Sequence, residues 1–337
     1  MRLERYEKNP IITPNPDHDW ECLVTTNPGA WYDEKSGQVM MLYRTAGDDP
    51  EHVIHLALAV SRDGYTFERF DAPVVSPSRD GFDAGCVEDA RIVKFGEYYF
   101  ITYASRCFPP GEYWNHDNPR SRPPVCPPDF PRALRDNTTG SGLLLTKDFK
   151  TFIRAGRLTD PLIDDRNVLL FPEKVGGKYF MLHRPMDWVG EEYGTGQPSI
   201  WIASSEDMLG FRNSRLLAKP RYDWEQVKIG ANTPPVRTKH GWLILYHGVG
   251  PDRHYRLGAM LLDLHDPRRV LHRTPHWILQ PEMGYEVDGP YSGCVFPCGK
   301  VVINGTLFVY YGAADKYVAL ATCRLDDLLT HLLACPS

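Results

Sequence analysis

The stretch Gly85-Cys86-Val87-Glu88-Asp89-Ala90-Arg91-Ile92-Val93 sets two carboxylates and a guanidinium at the mouth of an apolar run. Carboxylates so placed can move protons, and the guanidinium can hold an anion. Neither Glu88 nor Asp89 favours a strand, so something other than strand formation must account for them. One account is an ion pair at a surface turn; the other is a reactive carboxylate. A second cluster is mostly basic. Asp164-Asp165-Arg166-Asn167 is followed by Glu173-Lys174 and then by His183-Arg184-Pro185. Arginine offers a planar fork of donors that suits phosphate oxygens, and lysine offers a point charge. The competing account pairs Arg166 and Arg184 with Asp164, Asp165 or Glu173.

These residues need elements to hold them. Five segments repeat one pattern, in which an apolar strand and a turn lead to a strand ending in aromatics. The second strands are Met40–Arg44, Tyr98–Ala104, Tyr179–Arg184, Trp242–Gly248 and Leu307–Gly312, and each is followed by a strand rich in Ala, Leu and Ile. Tyr43, Tyr103, His183, Tyr246 and Tyr311 take equivalent places, at intervals of roughly 60–80 residues. Several strands per unit, five times over, predict an all-β fold, a five-bladed β-propeller forming one domain over residues 1–337. Two β-sandwich domains are the alternative, and they would not predict five matching units.

In a propeller the starts of the inner strands converge. The candidates there are Asn27, Arg44, Glu88, Asp89, Arg91, Glu173, Lys174, His183, Arg184, Tyr246, His247 and Asp315. Carboxylates are few among them. A hydrolytic glycosidase needs two carboxyl groups flanking the bond. Asp89 is a candidate acid, but the strongest second cluster is basic.

Composition narrows the partners. A net charge of −5 gives no reason to expect nucleic acid or an anionic membrane surface. With 42% hydrophobic residues the chain can bury a substantial core, and its 12% aromatics suit both strands and the faces of ligands. The N-terminus Met1-Arg2-Leu3-Glu4-Arg5-Tyr6 lacks the apolar core of a signal peptide, and no run matches a membrane span. A cytoplasmic protein is expected. The eight cysteines lack zinc-finger spacing and are read as buried thiols, with no metal; Cys107 and Cys126 would pair only in an oxidising compartment. From Arg106 to Gly140 the chain carries eight prolines together with Tyr113 and Trp114. Proline at that density fits neither helix nor central strand, so 106–140 is read as an inserted, packed loop over one mouth of the channel, or else a contact in a homo-oligomer.

Five motifs in order carry a resemblance. They are Val87-Glu88-Asp89-Ala90-Arg91, Leu170-Phe171-Pro172-Glu173-Lys174, Leu182-His183-Arg184-Pro185, Tyr246-His247-Gly248-Val249 and Tyr310-Tyr311-Gly312-Ala313-Ala314-Asp315. With them the chain resembles the inverting β-mannoside phosphorylases of glycoside hydrolase family 130, over nearly its whole length. The resemblance implies cleavage of a β-mannoside by inorganic phosphate, releasing α-mannose 1-phosphate, with phosphate as co-substrate and no cofactor. It implies Asp89 as proton donor, acting through a sugar hydroxyl. It assigns Asn27, Arg44 and Asp315 to the mannosyl unit, and Arg166, His183, Arg184, Tyr255 and Lys174 to phosphate. Two positions depart from the family pattern: Ala90 stands where many members have Pro, and His55 where many have Arg. Three alternatives stay open. A β-mannosidase using water would lack the basic cluster. An arabinanase-like glycosidase would have Asp where Asn27-Pro28-Gly29 stands. A sugar-binding propeller without catalysis would tolerate loss of Asp89.

Overall fold

The computed structural model describes all 337 residues except His116, Asn118, Pro119 and Leu209, the first three of which fall in the insertion expected over 106–140. Strands dominate it. The first, β1 (Glu4–Arg5), finds its partner only at the end of the chain. Five antiparallel meanders follow. The first comprises β2 (Val24–Asp33), β3 (Gln38–Ala46), β4 (Ile54–Ser61) and β5 (Glu68–Arg69). The second holds β6 (Cys86–Phe95), β7 (Tyr98–Arg106), β8 (Gly140–Thr146) and β9 (Ile153–Arg157). One parallel bridge, Ile54 with Cys86, joins these two into a continuous sheet. The third is β10 (Asp165–Leu170), β11 (Tyr179–Pro185), β12 (Ile200–Ser205) and β13 (Arg212–Ala218). The fourth has β14 (Lys228–Ala231) and β15 (Val236–Thr238), both paired to β16 (Gly241–Val249), then β17 (Tyr255–Leu262) and β18 (Val270–Arg273). The fifth runs β19 (Val295–Ile303), β20 (Thr306–Ala313) and β21 (Tyr317–Arg324), and β1 completes it by pairing with β21, Glu4 opposite Thr322. The described residues also form the short α-helices α1 (Arg132–Arg135), α2 (Gly284–Val287) and α3 (Leu325–Leu333).

Side chains alternate along each strand, so every sheet buries both faces. In β3, Met41 and Tyr43 pack toward the fifth sheet while Leu42 packs toward the second. In β16, Trp242, Ile244 and Tyr246 face the third sheet, and Leu243 and Leu245 face the fifth. The result is one apolar core at each junction: first with second, second with third, third with fourth, fourth with fifth, and fifth with first. The buried leucines of α3, Leu328, Leu329 and Leu332, belong to the core between the fourth and fifth sheets. The first strands of the sheets also touch: β2 lies against β6 and β19, β6 against β10, and β10 against β14.

A buried polar motif repeats with the sheets. A second-strand tyrosine donates to a carboxylate, and an arginine on the outermost strand binds the same carboxylate. Tyr43, Glu21 and Arg69 form one; Tyr103, Asp83 and Arg154 another; Tyr246, Glu225 and Arg273 a third; Tyr311, Glu286 and Arg5 a fourth. In the third sheet His183 takes the tyrosine's place, with Asp165 on Nδ1 at 2.8 Å and Ser214 of β13 on Nε2 at 3.2 Å. Burying a carboxylate is tolerable when it is paired and hydrogen-bonded in this way.

All eight cysteines are free. No helix among the described residues is long and apolar enough to cross a membrane.

Candidate active site

The first strands of the sheets are interrupted at one height. In β2, β6 and β10 an extra residue shifts the register, between Thr26 and Gly29, Glu88 and Arg91, and Arg166 and Leu169. A residue inside each bulge takes the left-handed conformation: Asn27 at φ 44°, Asp89 at φ 58° and Asn167 at φ 55°. Asn and Asp are the non-glycine residues that accept this region most readily, and bulges re-aim side chains beside sites. In the fourth sheet the gap between β14 and β15 does similar work, with Asn232 inside it. Asp315 is aimed by a tight turn. Ala314 and Asp315 are both left-handed, at φ 51° and 56°, as the two central residues of a type I′ hairpin turn require. Gly312 is needed for space, because a Cβ there would collide with Asn27 Oδ1.

These devices surround one cavity of about 450 Å³. Asn27, Arg44, Glu88, Asp89, Arg166, Asn167, Arg184, Lys228, Tyr255 and Asp315 all line it. Asn27 Nδ2 donates to Asp89 Oδ1 at 2.8 Å and lies 3.5 Å from Asp315 Oδ1. Arg44 Nη1 is 3.0 Å from Glu88, 4.0 Å from Asp89 and 3.9 Å from Asp315. Asp89 Oδ2 has no hydrogen-bond partner among the described residues. Burial and the neighbouring Glu88 charge raise the Asp89 carboxyl to about 6, against the opposing pull of Arg44, Arg91 and the Asn27 amide. A carboxyl so tuned holds its proton in weakly acidic solution, which suits a general acid.

Elsewhere along the wall the charge is positive. Arg166 is clamped by Asp164 through two hydrogen bonds, 2.7 and 2.8 Å long. Arg184 is buried and has no carboxylate partner among the described residues; its Nη1 meets His247 Nε2 at 2.7 Å, and its Nε has no partner. Burial lowers its guanidinium to about 10, and nearby Arg166 contributes. Lys228 stands beside Tyr255, its Nζ 4.9 Å from the ring centre. Burial, then Arg184 and Arg166, bring its ammonium down to about 7. Three basic side chains, Arg166, Arg184 and Lys228, thus share this end of the cavity wall, with the Asp164 carboxylate bonded to one of them.

Several residues expected here stand elsewhere. His183 does not line the cavity. Strand β11 stays extended through Pro185, so alternation turns His183 and Arg184 to opposite faces, and His183 serves the buried motif of its sheet. Tyr246 likewise belongs to the buried motif of the fourth sheet. Lys174 is exposed on the turn between β10 and β11, bonded to the Glu206 carbonyl, and Glu173 there pairs with Arg237. His247 is buried behind Arg184, its Nδ1 3.0 Å from Asn232 Oδ1. Arg91 is buried under the floor, bonded to the carbonyls of Asp89 and Asn232, so it pins the Asp89 backbone rather than facing the cavity. His55 bonds Ser76 and is not part of the wall.

Sequence reasoning passed over Asn167 and Lys228. Asn167 had a signal, since Arg166-Asn167 repeats the placement of Thr26-Asn27 and Glu88-Asp89 before an apolar run. Lys228 had none. It stands on β14, the part of the fourth sheet's interrupted first strand that precedes β15.

The same arrangement has relatives. The protein family described as beta-1,4-mannooligosaccharide phosphorylase, glycoside hydrolase family 130, matches residues 2–111 and 133–333. This chain belongs to family 130. It is 33% identical to the 1,2-beta-oligomannan phosphorylase of a Thermoanaerobacter species, over 97% of this chain and 99% of that one. Identity to the beta-1,2-mannobiose phosphorylase of Listeria innocua is 30%, over 98% and 99%. The solved structure of beta-1,2-mannobiose phosphorylase from Listeria innocua in complex with beta-1,2-mannobiose superposes with a TM-score of 0.80 at 28% identity, covering 98% of this chain and 99% of that one. The family match leaves out 112–132, the middle of the insertion.

Proposed function

We propose that this protein is an inverting β-mannoside phosphorylase built as a single five-bladed β-propeller. The propeller reading is supported by the five meanders, by the five inter-sheet cores that run round from the first sheet to the fifth and back, and by the contacts among first strands. Placement of the functional groups follows the cavity. Asn27, Arg44 and Asp315 bind the mannosyl unit around Asp89. Arg166, Arg184, Lys228 and Tyr255 bind phosphate. A phosphate oxygen attacks the anomeric carbon, the glycosidic C–O bond breaks with inversion, and the proton of Asp89 reaches the departing oxygen through a sugar hydroxyl. The products are α-mannose 1-phosphate and the shortened acceptor.

One observation carries the reading: Arg184 is a buried cation in the cavity wall with no carboxylate in hydrogen-bonding or ion-pair contact among the described residues. A buried charge without a partner is costly, and a bound phosphate would supply the missing charge-assisted hydrogen bonds. A glycosidase using water has no use for that arrangement, whereas a phosphorylase replaces its second carboxylate with the bound nucleophile. The relatives' names support a β-1,2 linkage as the first substrate. The test is incubation with β-1,2-mannobiose, and with β-1,4-mannobiose as control, in the presence and absence of phosphate. Mannose 1-phosphate should form one for one with mannose, and turnover should need phosphate. Free mannose released at the same rate without phosphate would overturn the reading.

A further inference from the structure

Residues 112–132 lie outside the segments matched by the family, yet Tyr113 and Pro123 of that stretch line the cavity, and Tyr113 reaches between the two groups that flank Asp89. The Tyr113 hydroxyl donates to Asp315 Oδ2 at 2.8 Å and accepts from Arg44 Nη2 at 3.2 Å. The Arg44 guanidinium also lies 5.9 Å from the centre of the Tyr113 ring. Arg44 has three carboxylates within reach, Glu88 at 3.0 Å, Asp315 at 3.9 Å and Asp89 at 4.0 Å. The phenol adds a bridge between Arg44 and Asp315, because a single hydroxyl bonds both an Arg44 donor and an Asp315 oxygen.

The ring is held from behind. Trp114 meets it edge-on at 5.0 Å and His52 at 5.8 Å, and His52 and Trp114 are themselves 4.6 Å apart. His52 is fully buried, left-handed at φ 53°, and neither ring nitrogen has a hydrogen-bond partner among the described residues. Burial and nearby Arg44 keep it neutral, so its part is packing. The root of the insertion is tied to the loop after β3: Gly111 N donates to the Glu51 carbonyl at 2.9 Å, and Arg120 bonds both Glu112 and Asp48. On its other side Tyr113 borders a smaller hollow of about 280 Å³, with Pro110 and Pro123 shared between the two.

We propose that Tyr113 is a positioning residue for sugar recognition. It locks Arg44 and Asp315 in the geometry that reads the mannosyl hydroxyls, and its ring closes the cavity on that side. The inference rests on the reading that Arg44 and Asp315 face the mannosyl unit. Preorganisation of this kind lowers the cost of ordering side chains on binding, so its loss should fall on the sugar and not on phosphate.

The experiment compares wild type, Tyr113→Phe and Trp114→Ala. Phosphorolysis of a mannosyl disaccharide is measured against each substrate in turn, and disaccharide binding is measured by calorimetry without phosphate. Tyr113→Phe keeps the ring and its packing but removes both hydrogen bonds. It should raise the disaccharide KM and Kd by roughly tenfold, and leave the phosphate KM within about twofold of wild type. Trp114→Ala, which keeps the hydroxyl but frees the ring, should move the same two constants in the same direction. An unchanged disaccharide Kd in Tyr113→Phe, or an equal loss on both substrates, would overturn the proposal. If wild type binds the disaccharide but does not cleave it with phosphate, the functional reading fails, while the calorimetric comparison still decides the role of Tyr113.

Discussion

Asp89 is held near its working protonation state by its surroundings. A general acid must carry its proton, and this carboxyl is raised to about 6 by burial and by Glu88. Mannoside kcat/KM should therefore be highest below about pH 6 and fall as pH rises through that value. Glu88→Gln removes the neighbouring negative charge, so the fall should begin at lower pH. Asp89→Asn cannot donate the proton and should lower kcat by about two to four orders of magnitude with sugar affinity retained; turnover near wild type would remove Asp89 from the mechanism. Lys228, lowered to about 7, loses its charge as pH rises through that value, so the phosphate KM should climb above neutrality while the sugar constant stays level. Arg184→Ala takes away the guanidinium that has no carboxylate partner among the described residues. It should raise the phosphate KM by roughly tenfold or more, from a loss of about 1.5–3 kcal/mol, as read from a phosphate titration at saturating mannoside.

At the scale of the element, what separates site from support is which face of a strand a residue occupies. Arg184 and His183 are neighbours in sequence and were both expected at phosphate, yet β11 keeps its alternation and only Arg184 reaches the cavity. His183 and Tyr246 stand in for one another in the repeated motif of ring and carboxylate. His183→Ala and Tyr246→Phe should each cost about 1–3 kcal/mol of stability, because a buried carboxylate loses a donor. Neither should move the phosphate KM by more than about twofold. Urea unfolding beside initial-rate kinetics checks both, and a large rise in the phosphate KM with stability intact would return these residues to the site. The repeat of five units was legible because Tyr43, Tyr103, His183, Tyr246 and Tyr311 recur after similar apolar strands. The bulges at Asn27, Asp89 and Asn167 were not, because a single extra residue leaves the apolar pattern nearly unchanged.

Over the whole molecule, the two ends of the chain meet in one sheet. β1 adds the outer strand beside β21, Leu3 enters the core between the fourth and fifth sheets, Ile12 enters the core between the fifth and first, and Arg5 binds Glu286. Deleting residues 1–12 would take both apolar side chains out of those cores and leave Glu286 without its arginine. The loss should be on the order of 5 kcal/mol, measured by urea unfolding. By itself the sequence determined what is local or repeated: the alternation that makes strands, the five units, the carboxylate pair at Glu88-Asp89, the basic residues Arg166 and Arg184, and the motifs that mark the family. Tertiary structure decided what depends on direction and distance. It turned His183, Tyr246 and Arg91 into supports, left Lys174 at the surface, brought Lys228 in from an interrupted strand, and carried Tyr113 from the insertion to Arg44 and Asp315. The physical reason is that charge and residue type are written in the chain, whereas the face a side chain occupies depends on single-residue bulges and on which sheet packs against it.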